Sequence, residues 1–518
     1  MTAIETTRLH PGQWGNGHEG QRKADRGNGT YLNPIFAGDH PDPTVLKDGD
    51  DFYMTYSSFD ASPGLMLWRS KDLVNWEPIG PALPDPIAIV FAPDLVKHGD
   101  RYFIYIPFIP AGWAPEFGNQ SRIFVIYADD ISGPWSKPVD LGITGAIDPG
   151  HVVGEDGKRY LFTNGIRRIR LTDDGLATDG PLERVYSGWK YPEDWVTEAY
   201  ALEGPKLFRH GEYFYLISAV GGTAGPPTGH MVTVARSKSI HGPWEDAPTN
   251  PIVRTQNAQE SWWSRGHATL VEGPAADWWM MYHGYENGYR TLGRQVLLEP
   301  VEWTSTGWPR ALGGDLSKPL LKPLDLPGQE HGIRRSDDFS GSRLDARWSF
   351  YSPGAGEADR IRLDKETLIL QGKGSSPADS SPLTALAGDH AYEVSVRMTA
   401  SAEDTQGGLL LFFNRRLYLG VGYDGVAMTT YTGGITSHWK EPAPPAKSIH
   451  LRIVNDRHIV TFFYSVDGEN WTRHGMRIEA SGYNANTAAD LLSLRPALFA
   501  TGTGHVHFEN FQYRVLGD

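Results

Sequence analysis

Five stretches of this 518-residue chain repeat one pattern, a glycine or acidic residue, then aromatics, then apolar residues. They are GDDFYMTYS (49–57), GDRYFIYI (99–106), DGKRYLFTN (156–164), HGEYFYLIS (210–218) and ADWWMMYH (276–283). With Tyr53, Phe103, Tyr160, Tyr215 and Trp279 taken as equivalent, successive copies lie 50, 57, 55 and 64 residues apart. A weaker element follows three of them: SKDLVNWEPIG (70–80), ADDISGPWSKPVDLG (128–142) and SKSIHGPWEDAP (237–248). Periods of this length, with several short strands each, are the signature of propeller blades, because one four-stranded sheet cannot bury both faces alone. Two independent repeat elements weigh against the alternative, a β-sandwich with aromatic strands. The spacing predicts an all-β chain in which residues 31–322 form a five-bladed β-propeller.

Outside that block the texture changes. Residues 1–30 lack periodicity and read as a flexible, dispensable N-terminal tail. Punctuation thickens at PLDLPGQE (323–330), placing a linker at 323–335. A new strand-rich block, 336–518, follows. Alternation such as Tyr392-Glu393-Val394-Ser395-Val396-Arg397-Met398 gives strands with one buried face, as in a β-sandwich (jelly-roll) domain.

Composition narrows the function. The 59 glycines and 37 prolines do not suit a helical bundle, and 17 Trp, 23 Tyr and 20 Phe do not suit a disordered chain. A net charge of −14 argues against a nucleic-acid partner. The absence of cysteine excludes disulfides, thiolate metal sites and a cysteine nucleophile. No apolar run approaches the length of a transmembrane helix, so no membrane partner is expected. The polar stretch from Met1 to Gly29 has no apolar signal core, which gives a cytoplasmic expectation. A homo-oligomer is left open.

Counting back from each anchor finds a polar group inside or beside an apolar strand. Asp42 lies 11 before Tyr53, Asp94 lies 9 before Phe103, and Asp148, Glu203 and His267 each lie 12 before theirs. The innermost strand of a blade lines the propeller axis, so equivalent offsets converge four carboxylates and a histidine on one region. Buried like charges are costly unless paired, metal-bound or neutralised by shifted pKa values. Blander readings exist: Asp42 and Asp148 as turn residues, Asp94 as a structural cap, His267 as a hydrogen-bonded core histidine. Glu203 is the hardest to explain that way. Its rivals as an acid, Glu193 and Glu198, fall in the loop-like YPEDWVTEAY stretch, and Glu198, five residues away, would sit on the opposite strand face.

Two carboxyl groups across a pocket, with aromatic rings nearby, are what glycoside hydrolysis requires: one protonates the leaving oxygen, the other activates water or attacks the sugar. Candidate sugar platforms are Phe59, Phe91, Trp113 and the Trp262-Trp263 pair, each with core packing as its alternative.

The order of Asn33-Pro34, His40-Pro41-Asp42-Pro43, SKDLVNW, APD, IDPG, LEGPKLF, GHATLV and GRQVLLEPVEWTSTGWP (293–309) resembles glycoside hydrolase family 43. The resemblance implies a five-bladed propeller that cleaves xylosidic or arabinosidic bonds with inversion. It assigns a base to Asp42, a pKa-modulating carboxylate to Asp148, an acid to Glu203 and a contact with the released sugar to Arg294, with Asp94 also near substrate. His267 matches a histidine that in many members coordinates an axial calcium or a bridging water, so a calcium ion is one expectation, although no cofactor is required. SDDFSGSRLDARWSF (336–350), GGLLLFFNRRLYLGVGYDG (407–425) and HFENFQYRV (507–515) resemble the concanavalin-A-like companion domain of family β-xylosidases. That domain is expected to give structural support. The reading is an exo-acting, inverting β-xylosidase acting on xylo-oligosaccharides. Its alternatives are an α-L-arabinofuranosidase acting on arabino-oligosaccharides and a non-catalytic carbohydrate-binding propeller.

Overall fold

Each repeat becomes one antiparallel sheet in the computed structural model, which describes residues 13–401, 404–439 and 446–517. The innermost strands are Thr44–Asp48, Asp94–His98, Gly150–Val153, Glu203–His210 and Trp262–Glu272. The quoted aromatic segments form the second strands: Asp51–Thr55, Arg101–Ile109, Arg159–Thr163, Tyr213–Val220 and Trp278–Glu286. Strands within each blade pair in sequence order, and the second and fourth blades add a short extra strand.

The apolar core of the propeller is divided among the five gaps between blades. Tyr53 lies in the cluster shared by blades one and two, Phe103 in that of two and three, and Tyr160 in that of three and four. Tyr215 lies between blades four and five, and Trp279 between five and one. Strand alternation explains the pattern, since Phe52 and Met54 flank Tyr53 and face the opposite gap. The repeat is thus a packing rule, one anchor per gap.

The ring closes through residues 33–40, which run along the third strand of blade five, Arg294–Trp303. Ile35 N–H donates to the Val296 carbonyl, His40 N–H to that of Arg294, and Asn33 bonds Leu298 in both directions. Thr30–Tyr31 pairs with Leu320–Leu321, close to the expected 31–322 limits.

The C-terminal domain is a sandwich of two antiparallel sheets with its own apolar core. It is not closed on itself. Ala61–Ser62, from blade one, pairs with Phe350–Tyr351 as an edge strand of one sandwich sheet.

The expectation of a flexible tail needs correction for residues 13–30; residues 1–12 lie outside the described residues. The Arg22 side chain is only 9% exposed where propeller and sandwich meet. It donates to Glu286 (3.0 Å), Gln295 (3.0 Å) and the Gly388 carbonyl (2.8 Å), and its guanidinium lies 4.7 Å from the Trp14 ring centre. Asp25 accepts from Lys322 (2.7 Å) and Asn75 (2.8 Å), both buried. The segment reads as a tail in sequence because polar bonds, rather than apolar periodicity, hold it.

Candidate active site

Asp42, Asp148, Glu203 and His267 converge at one end of the propeller axis, as their equivalent offsets require, and line a single 740 Å³ cavity with Arg294. Asp42, Asp148 and His267 adopt left-handed backbone angles (φ 57°, 55° and 60°), a conformation that non-glycine residues seldom hold without surrounding constraint. At His267 the strand register breaks on both sides of the Gly266–His283 pair. The three blades therefore carry the same local distortion at the same position.

Asp42 is enclosed by donors. Its Oδ2 accepts from Ser57 Oγ at 2.5 Å and its Oδ1 from Arg294 Nη1 at 3.0 Å. Its backbone N–H donates to His283 Nδ1 at 3.1 Å, which leaves the His283 proton on Nε2, beside Thr223 Oγ1. Arg294 is itself fixed by a bond from its backbone N–H to Asp39 Oδ1 (3.0 Å). The preceding Gly293 has φ 77°, and a Cβ there would stand 2.3 Å from the Asp39 carboxylate, so the close approach needs glycine. Gly204 does the same for Glu203: with φ 60° it lets the strand press against the His267 ring.

Burial and charge divide the three carboxyls. Burial alone would raise Asp42, but Arg294, His267 and His283 outweigh it and hold Asp42 well below the usual range. Burial also pushes both imidazoles down to about 4, so at neutral pH the guanidinium carries the stabilising charge. Burial, reinforced by Asp42, raises Asp148 to about 7, although Gly204 N–H donates to it at 3.0 Å. Glu203 is raised well above the ordinary glutamate value by burial, then by Asp148 and Asp42. Near neutrality the pocket holds an ionised Asp42 facing a protonated Glu203.

The platforms sort into two groups. Phe59 and Phe91 line the cavity, edge to face at 5.2 Å, and Arg294 lies 5.2 Å from the Phe59 ring centre. Trp113, Trp263 and Asp94 are corrections. Trp113 donates to Asp60 (2.7 Å) and lines a separate cleft at the propeller–sandwich seam. Trp263 lies outside the lining, its indole N–H on the Ala258 carbonyl and its ring beside Arg290; Trp262 is core. Asp94 accepts from Lys206 (2.6 Å), His151 N–H (2.7 Å) and Thr44 (3.3 Å), pinning the inner strands of blades one to four. Its oxygens are occupied and it lies outside the lining of the 740 Å³ cavity, as the cap alternative implies.

Sequence reasoning passed over Ser57, His283 and Lys206, although the first two end quoted repeats and Lys206 lies inside LEGPKLF. Which part of the sandwich domain reaches the pocket was not readable in sequence; Ala485, Asn486, Ala489 and Leu491 line the cavity. The companion domain therefore contributes surface to the site as well as support.

The sequence profile of Glycosyl hydrolases family 43 matches residues 31–309, the whole ring that carries these groups. The chain belongs to this family. The profile of the beta xylosidase C-terminal concanavalin A-like domain matches residues 336–514. Among family 43 relatives, a Bacteroides ovatus protein named non-reducing end alpha-L-arabinofuranosidase BoGH43B is 33% identical over 344 residues, 62% of this chain and 61% of that protein. A Vibrio protein named xylan 1,3-beta-xylosidase is 32% identical over 338 residues, 58% of this chain and 60% of that protein. The matches thus span about three fifths of those relatives. The crystal structure of the GH43 protein BlXynB from Bacillus licheniformis superposes with a TM-score of 0.82 at 26% identity, covering 94% of this chain and 100% of that one.

Proposed function

We propose that this protein is an exo-acting, inverting glycoside hydrolase that releases terminal xylose from xylo-oligosaccharides. The observation that carries the reading is the convergence of Asp42, Asp148 and Glu203 on one pocket, where Arg294, 3.0 Å from Asp42, holds that carboxyl down while burial raises Glu203. Glu203 gives its proton to the glycosidic oxygen as the bond to the anomeric carbon breaks. Asp42 takes a proton from the water that attacks the opposite face of the sugar. Both Asp42 oxygens already accept hydrogen bonds, which suits a base better than a nucleophile that bonds carbon. Burial, then Asp148, keeps Glu203 protonated, and Arg294 keeps Asp42 ionised while its own buried Nε and Nη2 lack protein partners. The sandwich wall at 485–491 narrows the pocket, consistent with removal of a terminal unit.

The Bacteroides ovatus relative favours a second reading, release of terminal arabinofuranose. Aryl β-xyloside and aryl α-L-arabinofuranoside hydrolysis, with the first-formed anomer followed by NMR, separates the two. Cleavage of neither, or product that retains configuration, overturns the proposal.

A calcium ion beside His267 is a poor match to the side chains. One ligand atom each from Glu203, His230 and His267 lies within 4.8 Å of the others, and the imidazole nitrogens His267 Nε2 and His230 Nδ1 and Nε2 lack partners. Calcium takes six to eight oxygens, whereas this set offers nitrogens and the one carboxyl the reaction needs protonated. No step of the proposed reaction passes through a metal.

A further inference from the structure

Glu198 is the one carboxylate of the pocket lining that the proposed chemistry leaves idle. It sits on an exposed loop yet is held from several directions. Its N–H donates to the Gly221 carbonyl (3.1 Å) and its Oε2 accepts from Ala224 N–H (2.9 Å). Gly222 and Gly225 close on it so tightly that a Cβ on either would stand 2.5 Å from its side chain. The loop is tied down beside it by Thr228 Oγ1, which donates to the Val196 carbonyl at 2.8 Å. Among the described residues Oε1 has no hydrogen-bond partner. A cavity-lining carboxylate with one oxygen fixed and the other unpaired has lost most of the rotational freedom that a bound hydroxyl would otherwise have to quench.

Position selects the part of the substrate. Asp42, Asp148, His267 and Arg294 are buried and form the floor, where the released sugar lies. Glu203, which gives its proton to the leaving oxygen, stands at the wall, and Glu198 is near enough to raise its pKa from the more exposed side. Outward from Glu203 is the direction in which the remaining chain departs. The same lining carries an apolar set, Phe59, Phe91, Ala489 and Leu491. A sugar ring in the cavity would set a carbon face against the apolar set and its hydroxyl edge toward Glu198. We propose that Glu198 determines substrate preference by accepting hydrogen bonds, through Oε1, from hydroxyls of the sugar on the leaving side of the scissile bond. The inference rests on the hydrolase reading above.

The test compares xylobiose, which has a leaving-side sugar, with an aryl β-xyloside, which has none. The matching arabinofuranoside pair serves if arabinose is the sugar released. Glu198→Ala should raise KM for xylobiose about tenfold or more, the range expected for losing hydrogen bonds to a charged group. For the aryl xyloside, kcat/KM should stay within about twofold, since no leaving-side contact exists to lose. Glu198→Gln keeps an acceptor in the same shape and should fall between. It also carries the test if the Ala variant melts lower than the parent. Equal losses on both substrates, or none on either, overturn the inference. A parent enzyme that cleaves neither substrate fails the hydrolase reading first, so the two failures are distinct.

Discussion

Arg294 holds Asp42 through Nη1 at 3.0 Å, and both residues are almost completely buried. The pair joins the start of blade one to the third strand of blade five, so closing the ring also sets the charge of the pocket. Removing the guanidinium would leave a buried carboxylate facing neutral imidazoles. Arg294→Met should raise the Asp42 pKa and move the low-pH limb of kcat/KM toward higher pH. It should also cost roughly 3–5 kcal/mol of stability, as broken buried pairs do. The Asp42 contribution is present above its unfolded pKa and lost as pH falls through the depressed folded value. Denaturant melts and pH–rate profiles read both effects, and an unmoved acid limb would contradict the assignment.

Glu203→Gln and Asp42→Asn should differ by leaving group. Without Glu203, natural oligosaccharides lose an acid worth about 10²–10⁴-fold, while an activated aryl glycoside, whose phenolate leaves unaided, is spared much of that. Without Asp42 both substrate types should fail, because water activation is needed whatever departs. Equal loss on both substrates for Glu203→Gln would reverse the roles.

Asp148→Asn tests the proton held at Glu203. Burial raises that group most, and the Asp148 anion adds to it. Removing the anion lowers the Glu203 pKa, so the high-pH limb should shift to lower pH while the limb governed by Asp42 moves less. A high-pH limb that stays in place would remove Asp148 from this role.

Arg22 should matter despite its distance from the sugar. Burial alone would raise Glu286, but Arg22 and then His390 outweigh it and hold it at about 2, below its ordinary 4.5. That stability is present above pH 4.5 and disappears as pH falls toward 2. Arg22→Ala should lower the melting temperature at neutral pH and flatten its decline in acid. Because Gln295, bonded to Arg22, adjoins Arg294, KM should also rise. An unchanged melt would return the segment to the status of a tail.

The propeller was legible because each blade repeats one packing demand, an aromatic anchor for the gap ahead, and repetition leaves a countable period. The axial groups were legible for the same reason: Asp148, Glu203 and His267 stand 12 residues before those anchors and Asp42 stands 11 before its own. Asp94, 9 before its anchor, was grouped with them and misled, since the offset gives a place on the axis but not which oxygens neighbours already occupy. Trp113 and Trp263 misled because an indole has the same local pattern whether it meets sugar, an aspartate or an arginine. Residues 13–30 and 485–491 were opaque. Their partners lie hundreds of positions away and are met through polar bonds and a single helical turn, Ala485–Ala488, which leave no periodic trace.

The Ala61–Ser62 strand ties biosynthesis to catalysis. Ribosomal synthesis delivers the propeller first, and domains tend to fold as they emerge. Until Phe350–Tyr351 is made, that edge stays unpaired, open to any passing strand. Residues 485–491 follow the linker, so a nascent chain stalled there would have every acid and base of the pocket but not its finished wall. The pocket is in this sense proofread by the second domain, since only a chain translated past residue 491 can present its complete lining.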